Sequence, residues 1–400
     1  MREWGIEALL IAARVAVQRM SVCEGERVAV VFNARRRTVA EVLHLAALER
    51  GAESELVEFA PASRHGEEPP DFVGAAMAAS DIVLAPTDFS ISHTRARIAA
   101  TGRGVRIATL PTITEEIFAR AVPVDYSSLE ADGDRLAALL TEAATCRITT
   151  KQGTDLVLDL ERRSGRNDCG ALGERSAFGN LPAGEAYIAP REVGCHGTIV
   201  YDGSFAGYGL LREPAHVEVR DGRLVAADGE AGRWLIETLD SGGPNGRFIA
   251  ELGIGTNAAA VITGNILEDE KVSGTAHLAF GTSAGIGGTI EAGVHIDGVV
   301  RRPSVELDGR RVIEHGVRLD VQRPARARPR AASEKRSGDS ESSSTTGSSP
   351  VISRATTSPV NGPSVTPSMP WPVATRTAGA PRRRPTYGSP SGEHGRRPHQ

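Results

Sequence analysis

The 400-residue sequence lacks long hydrophobic runs and has only four cysteines. No stretch of about 18 apolar residues occurs, so we expect no transmembrane helix. The first residues include Arg2, Glu3 and Glu7 where a secretory signal would be apolar. The cysteines are 123, 23 and 26 residues apart, which fits neither a CxxC metal site nor a dense disulfide framework. We therefore expect a cytoplasmic protein with reduced thiols and no membrane partner.

The last part of the chain lacks the composition of a folded domain. Arg, Pro, Ser, Thr and Gly dominate residues 323–400, where the aromatic residues are Trp371 and Tyr387. Such a segment cannot bury enough apolar surface to fold, so we predict a disordered tail. It has 13 Lys/Arg and four Asp/Glu, against a net charge of −4 for the whole chain. A basic tail could contact nucleic acid, but an unselected extension explains it better, and we expect no nucleic-acid partner.

Residues 1–145 have the pattern of an α/β domain. Short apolar segments at 27–32, 55–59, 82–86 and 105–110 alternate with amphipathic segments. This alternation predicts a parallel sheet with right-handed crossovers, covered by helices. The spacing of Thr38 and Glu41 predicts a capping box at the start of one helix. The loop at 33–38 contains no glycine, so no nucleotide is assigned to this domain.

Residues 146–322 change to strand patterns. Segments 148–151 and 155–160 alternate around Gln152-Gly153 and predict a hairpin, and Asp221-Gly222 marks a second hairpin tip. One clear helix is predicted at 231–239. We therefore predict a β-rich α+β domain that follows the α/β domain.

Residues with metal-binding side chains gather between positions 251 and 297. His295 and Asp297 are two apart, so on a strand both face one side, with Val294 and Ile296 toward a core. His277 lies in an apolar run where an unpaired imidazole is costly to bury, which favours a metal partner. Imidazoles and carboxylates suit zinc, cobalt or manganese. Taken alone, His-x-Asp is weak evidence, because surface strands often carry both residues.

His93 is a candidate for the same site from the first domain. It follows a predicted strand, and ligands of open α/β sheets gather at the carboxyl ends of strands. A lone histidine in a loop is also a common surface or helix-capping residue.

Several motifs of the second domain resemble the metal-dependent aminopeptidases called aminopeptidase T or aminopeptidase S. The matching segments are Gly179-Asn-Leu-Pro-Ala-Gly-Glu-Ala-Tyr-Ile-Ala-Pro190, Glu251-Leu-Gly-Ile-Gly-Thr-Asn257, Asp269-Glu-Lys271, Thr275-Ala-His-Leu-Ala-Phe-Gly281 and His295-Ile-Asp297. The resemblance implies a homodimer that cleaves a small peptide or amide with water activated by two ions of Zn, Co or Mn. It implies metal ligands at Glu251, Glu270, His277, His295 and Asp297.

The resemblance also suggests catalytic roles. Glu251 or Glu270 would act as general base, and Glu185 is a further carboxylate whose role as a strand-edge residue is at least as plausible. His93 is a separate catalytic candidate from the first domain. The aminopeptidases have a tyrosine seven residues after the histidine of the His-Leu-Ala segment, where this chain has Ala284. Thr282 and Ser283 are the nearby hydroxyls that could replace that oxyanion donor.

The same fold resembles a second family, the iron-dependent 2,5-dihydroxypyridine dioxygenases. These keep the His-x-Asp pair, have histidine in place of the first glutamate, and carry a histidine where His93 falls. The alternative function is therefore a mononuclear Fe(II) ring-cleaving dioxygenase. The donor count favours the two-metal hydrolase, whereas His93 and Ala284 favour the dioxygenase. A noncatalytic metal-binding protein is the third possibility.

Overall fold

The computed structural model describes residues 4–319, so the tail predicted at 323–400 lies outside the described residues. The helices are α1 (Ile6–Arg19), α2 (Arg37–Glu49), α3 (Asp71–Ala79), α4 (Arg95–Gly102), α5 (Glu115–Ala121), α6 (Tyr126–Glu142), α7 (Gly229–Ser241) and α8 (Ile266–Asp269). Within the described range, no helix is both long and apolar enough to cross a bilayer.

The strands are short and most of them follow residue 145. They are β1 (Arg27–Phe32), β2 (Glu53–Glu58), β3 (Ile82–Ala85), β4 (Arg106–Thr109), β5 (Thr145–Thr149), β6 (Asp155–Asp159), β7 (Arg166–Asp168), β8 (Phe178–Asn180), β9 (Glu185–Ile188), β10 (His196–Tyr201), β11 (Ser204–Phe205), β12 (Gly209–Leu210), β13 (Ala215–Arg220), β14 (Arg223–Ala227), β15 (Ile249–Gly255), β16 (Thr275–Gly281), β17 (His295–Arg301), β18 (Ser304–Leu307), β19 (Arg310–Glu314) and β20 (Val317–Arg318).

The first sheet is parallel, as predicted, with strand order β2-β1-β3-β4-β8. Helices cover both of its faces. Val28, Val30 and Phe32 of β1 pack with apolar residues of α1, α2 and α5, while Ala29 and Val31 pack with those of α3 and α4. This double cover explains why β1 is a nearly continuous apolar run without alternation.

The second half of the chain forms two antiparallel sheets that share one core. Their orders are β14-β13-β10-β6-β5-β18-β19-β20 and β12-β11-β17-β16-β15-β9-β7. Ile148 and Leu156 of the eight-stranded sheet lie in the same buried cluster as Leu252 and Leu278 of the seven-stranded sheet. The predicted fold class, an α/β part followed by a β-rich part, is therefore confirmed.

Three local features differ from the sequence expectations. The prediction of a capping box at Thr38 was wrong, because α2 begins after Arg36 and no side chain caps its first turn. Helices α5 and α6 had not been predicted. Strand β8 lies beyond the predicted domain boundary yet pairs with β4 of the first sheet. The predicted division after residue 145 falls at the first residue of β5 and stays a prediction.

Buried polar contacts join the two halves near one end of the parallel sheet. Arg120 of α5 forms a two-pronged ion pair with Glu268 of α8, with N···O distances of 3.0 and 2.8 Å. The amide of Asn257 donates to the backbone carbonyls of Ala121 and Ala183. These contacts hold the segment before β16 against α5.

Candidate metal centre

The register of the seven-stranded sheet puts the polar side chains of four strands on one face. Neighbouring residues in β9, β15, β16 and β17 alternate between the core and the opposite face, as pleated strands require. Apolar side chains point to the core, among them Ile188, Leu252, Ile254, Leu278, Phe280 and Val300. The residues of opposite parity form the site face: Glu185, Glu251, His277, His295 and Asp297.

A bulge in β15 gives Glu251 its orientation. Ile249 pairs with Phe280, whereas Glu251 pairs with Ala279, so β15 has one extra residue at this point. The extra residue changes the parity of the strand. As a result both Ile249 and Leu252 contribute to the core while Glu251 points to the site face.

Small residues make room for the donors. Ala279 pairs with Glu251 on one side and with Asp297 on the other, so a single methyl group separates the two carboxylates in this cross-strand row. Gly253 lies opposite His277. A β-carbon added at Gly253 would lie 2.0 Å from two ring atoms of His277, so the imidazole rests on the glycine.

The donors form two groups that share Glu251. In the outer group, His295 Nε2 lies 3.3 Å from Glu251 Oε2 and 3.4 Å from Asp297 Oδ1. In the inner group, His277 Nε2 lies 3.4 Å from Glu251 Oε1 and 3.2 Å from Glu185 Oε2. The donor atoms of each group lie within 4.8 Å of one another, so each could hold a metal ion.

The two groups differ in access to solvent. The side chains of His295 and Asp297 retain 23% and 13% of their exposure, whereas that of His277 retains 1%. A catalytic metal needs an open coordination position that a substrate can reach. The outer group meets this condition and the inner group does not.

A backbone contact fixes the tautomer of His295. Its Nδ1 lies 2.8 Å from the carbonyl oxygen of Thr282, which can only accept a hydrogen bond. Nδ1 therefore carries a hydrogen, so in the neutral, metal-binding form of the ring the lone pair of Nε2 points toward Glu251 and Asp297. Metal-binding histidines are commonly held in this way.

The carboxylates of this face stabilise positive charge on the neighbouring histidines. Burial lowers the pKa of His277, but hydrogen bonding to Glu251 and attraction to Glu185 outweigh it and raise that pKa to about 9. Burial also opposes protonation of His295, yet Asp297 and Glu251 hold its pKa well above the usual value. The pKa of Glu251 is lowered, because its contacts with both imidazoles exceed the effect of burial. A divalent cation would supply the same positive charge at this point, so the residues present fit a metal.

Glu270 was predicted as a ligand and catalytic base. It lies next to the two donor groups, but neither group, as found among the described residues, includes it. Its Oε1 is 2.9 Å from Nζ of the buried Lys271. Burial raises the pKa of Glu270 to about 8, against the opposing effect of Lys271.

His93 reaches the open side of the face from the loop after β3. Partial burial lowers its pKa, and the charges of His295 and Arg97 lower it further, while Asp297 acts in the opposite direction. Because these effects require proximity, His93 lies near the outer group. His93 is also exposed to solvent.

The two hydroxyls that the sequence suggested as oxyanion donors make hydrogen bonds within the loop after β16. The Thr282 hydroxyl donates to the carbonyl of Ile290, and the Ser283 hydroxyl accepts from the amide of the same residue. Ala284 begins an exposed 3₁₀ turn, Ala284–Ile286. The contribution of this loop is the Thr282 carbonyl on His295, which no side-chain pattern could have predicted.

Comparison with known proteins identifies the family. The family model described as NicX, 2,5-dihydroxypyridine 5,6-dioxygenase, matches residues 9–320. The chain belongs to this family. No curated protein matches the chain significantly in sequence.

Two solved structures share the fold. The 2,5-dihydroxypyridine dioxygenase from Pseudomonas putida KT2440 has a TM-score of 0.69 and 18% identity, over 80% of this chain and 99% of that chain. Wild-type AmpT from Thermus thermophilus has a TM-score of 0.59 and 17% identity, over 78% of this chain and 99% of that chain. At these identities the likeness shows the fold alone.

The predicted main function, a metallo-aminopeptidase-like hydrolase, was wrong. The family match favours the dioxygenase that the sequence had offered as the alternative. An enzyme with a divalent metal is supported by the donor groups together with the family. Glu270, which the donor count had included, contacts Lys271 and lies outside both donor groups of the described residues, and its role as a ligand stays a prediction.

Proposed function

We propose that this protein is a ring-cleaving dioxygenase that opens a hydroxylated pyridine ring at a single Fe(II) ion. The observation that carries the proposal is the outer group, in which Glu251, His295 and Asp297 converge on the exposed side of the sheet. Non-haem iron oxygenases typically hold the ion with two histidines and one carboxylate on one face and leave the remaining positions open, and in this chain Glu251 takes the place of one histidine. The family match supplies the substrate class, for which 2,5-dihydroxypyridine is the first candidate.

The ligand set has two carboxylates and one imidazole. Two negative charges offset the charge of a divalent ion, and the Thr282 carbonyl holds His295 in the tautomer that presents Nε2. When bound, Fe(II) supplies the one-electron chemistry that lets dioxygen react with an electron-rich ring. We propose one ion where the sequence had suggested two.

His93 is the proposed proton acceptor. Its lowered pKa keeps the imidazole neutral near pH 7, so it can take a proton from a ring hydroxyl of the substrate. Its neighbourhood with His295 and Asp297 would place that hydroxyl beside the outer group. A positioned general base typically contributes about 100- to 10,000-fold to the rate.

The test is oxygen uptake by protein stripped of metal and reloaded anaerobically with Fe(II). With 2,5-dihydroxypyridine we expect one O₂ consumed per ring opened, loss of the ring absorbance, and both atoms of ¹⁸O₂ in the product. His295→Ala should abolish uptake, and His216→Ala is the matched control because His216 is exposed on β13. Uptake by the His295→Ala protein at the control rate would refute the assignment.

The quaternary structure and location stay predictions. A homodimer and a cytoplasmic location were expected from the sequence, and size-exclusion chromatography with light scattering would test the dimer. The proposed substrate is a small ring in place of the predicted peptide or amide.

A further inference from the structure

Lys271 is buried beside the inner donor group, with which it shares the carboxylate of Glu185. Its side chain retains 1% of its exposure. Its Nζ lies 2.5 Å from Glu185 Oε1, 2.9 Å from Glu270 Oε1 and 3.3 Å from Asp168 Oδ2. Three carboxylates from three separate segments thus converge on one ammonium group.

The residue type at this position is unusual for the chain. Lysine occurs three times in the sequence, as Lys151, Lys271 and Lys335, so 43 of the 46 basic residues are arginines. The ammonium group is a compact point charge with three donors, whereas guanidinium is a broad planar fork. Three carboxylates around one point therefore suit the ammonium group.

Glu185 connects this cradle to the inner donor group. One of its oxygens contacts Lys271, while Oε2 lies 3.2 Å from His277 Nε2 and has no hydrogen-bond partner. An ion held by Glu185, Glu251 and His277 would therefore be separated from the ammonium by a single carboxylate. Repulsion between these charges is strong in a buried environment.

We propose that Lys271 is the fixed counter-cation of the inner donor group and that it limits the centre to one divalent ion. The ammonium neutralises part of the charge of Asp168, Glu185 and Glu270 and repels an ion from Glu185, Glu251 and His277. Glu251 and Asp297 are then the carboxylates left for a metal, beside His295. This inference rests on the proposed function in taking the outer group as the metal site.

The experiment counts Mn(II) ions bound by the full chain. Metal-free protein is loaded with Mn(II), desalted, and analysed by elemental mass spectrometry and electron paramagnetic resonance. We expect one ion per chain for the wild type, with the six-line spectrum of an isolated Mn(II). Lys271→Met should bind two ions with a spin-coupled spectrum. Lys151→Met, which changes an exposed lysine, should bind one.

A second variant covers the case in which Lys271→Met does not fold. The triple variant Lys271→Met, Asp168→Asn, Glu270→Gln removes the lysine together with two of its three carboxylate partners. Of the three, only Glu185 then keeps its negative charge, and the inner donor group is unchanged. This variant should also bind two ions. Two ions in the wild type, or one ion in a folded variant lacking Lys271, would overturn the proposal. Oxygen uptake is measured separately, so a one-ion protein without dioxygenase activity would refute the proposed function alone.

Discussion

The contact between Gly253 and His277 makes Gly253→Ala a sharp test of the site geometry. The added β-carbon would lie 2.0 Å from Cε1 and Nε2 of the ring. Carbon atoms in contact are normally about 3.5–4.0 Å apart, so the ring must move by roughly 1.5 Å. Both residues are buried in central strands of the sheet, so little free space is available for this movement.

The displacement should reach the metal through Glu251. His277 Nε2 lies 3.4 Å from Glu251 Oε1, and Glu251 is a proposed ligand. Loss of a residue that orients a metal ligand by contact typically weakens metal binding by about 10- to 100-fold. Overpacking should also lower the free energy of unfolding by about 1–3 kcal/mol.

Calorimetric titration with Mn(II) measures the first effect, and urea denaturation of the metal-free protein measures the second. Gly102→Ala is the matched control, because no atom lies within 4 Å of its added β-carbon. A folded Gly253→Ala protein that binds Mn(II) as tightly as the wild type would show that His277 does not orient Glu251.

Three further changes test other contacts. Arg120→Met should cost about 3–5 kcal/mol in urea denaturation because it leaves buried Glu268 unpaired, whereas Arg14→Met, from an exposed pair, should cost at most about 1 kcal/mol; equal losses would contradict the burial argument. Ala279→Leu should abolish Mn(II) binding because its side chain would fill the space between Glu251 and Asp297, and retained binding would place the metal elsewhere. Burial opposes ionisation of Glu192, but hydrogen bonds from Thr289 and Arg163 lower its pKa to about 2, so its stabilising effect is present above about pH 4.5 and disappears as the pH falls through 2. The stabilities of Glu192→Gln and wild type should therefore converge at low pH, and a constant difference down to pH 2 would refute this.

Strands β1 to β4 followed from the sequence because local apolar patterns determine them, whereas helices α5 and α6 were not predicted. The apolar segment Arg27–Phe32 was predicted to be a buried strand and is β1. The capping box failed because Thr38 lies inside α2, which begins directly after the 3₁₀ turn Ala34–Arg36. Spacing alone cannot show whether a threonine is the cap or the second helical residue.

Part of the candidate site could also be read from spacing. His295 and Asp297 were expected on one face of a strand, and both belong to the outer group. Glu251 was harder to place, because strict alternation would put it on the same face as Ile249. The bulge that separates them depends on pairing with β16, which no single-strand pattern contains.

The segment 268–271 shows the limit of sequence reasoning most clearly. Glu-Asp-Glu-Lys has the composition of a solvated surface turn, yet Glu268, Asp269 and Lys271 are fully buried. Each has a partner distant in sequence: Arg120 for Glu268, Ser204 for Asp269 and Glu185 for Lys271. Buried charges are stable only with such partners, so their burial could not be inferred before the partners were known.

The geometry of the donors follows from the packing of the residues between them. The strands that carry Glu251, His277 and His295 are separated by long loops, so the chain spacing does not fix how they align. Alternating apolar residues such as Leu252, Leu278 and Val300 fix the alignment, because a slip of one position would turn each of them out of the core. The same slip would turn every donor into the core. Burial of the apolar face therefore also fixes the register of the face that carries the donors. The carboxylates are held close enough to bind one cation although they repel one another.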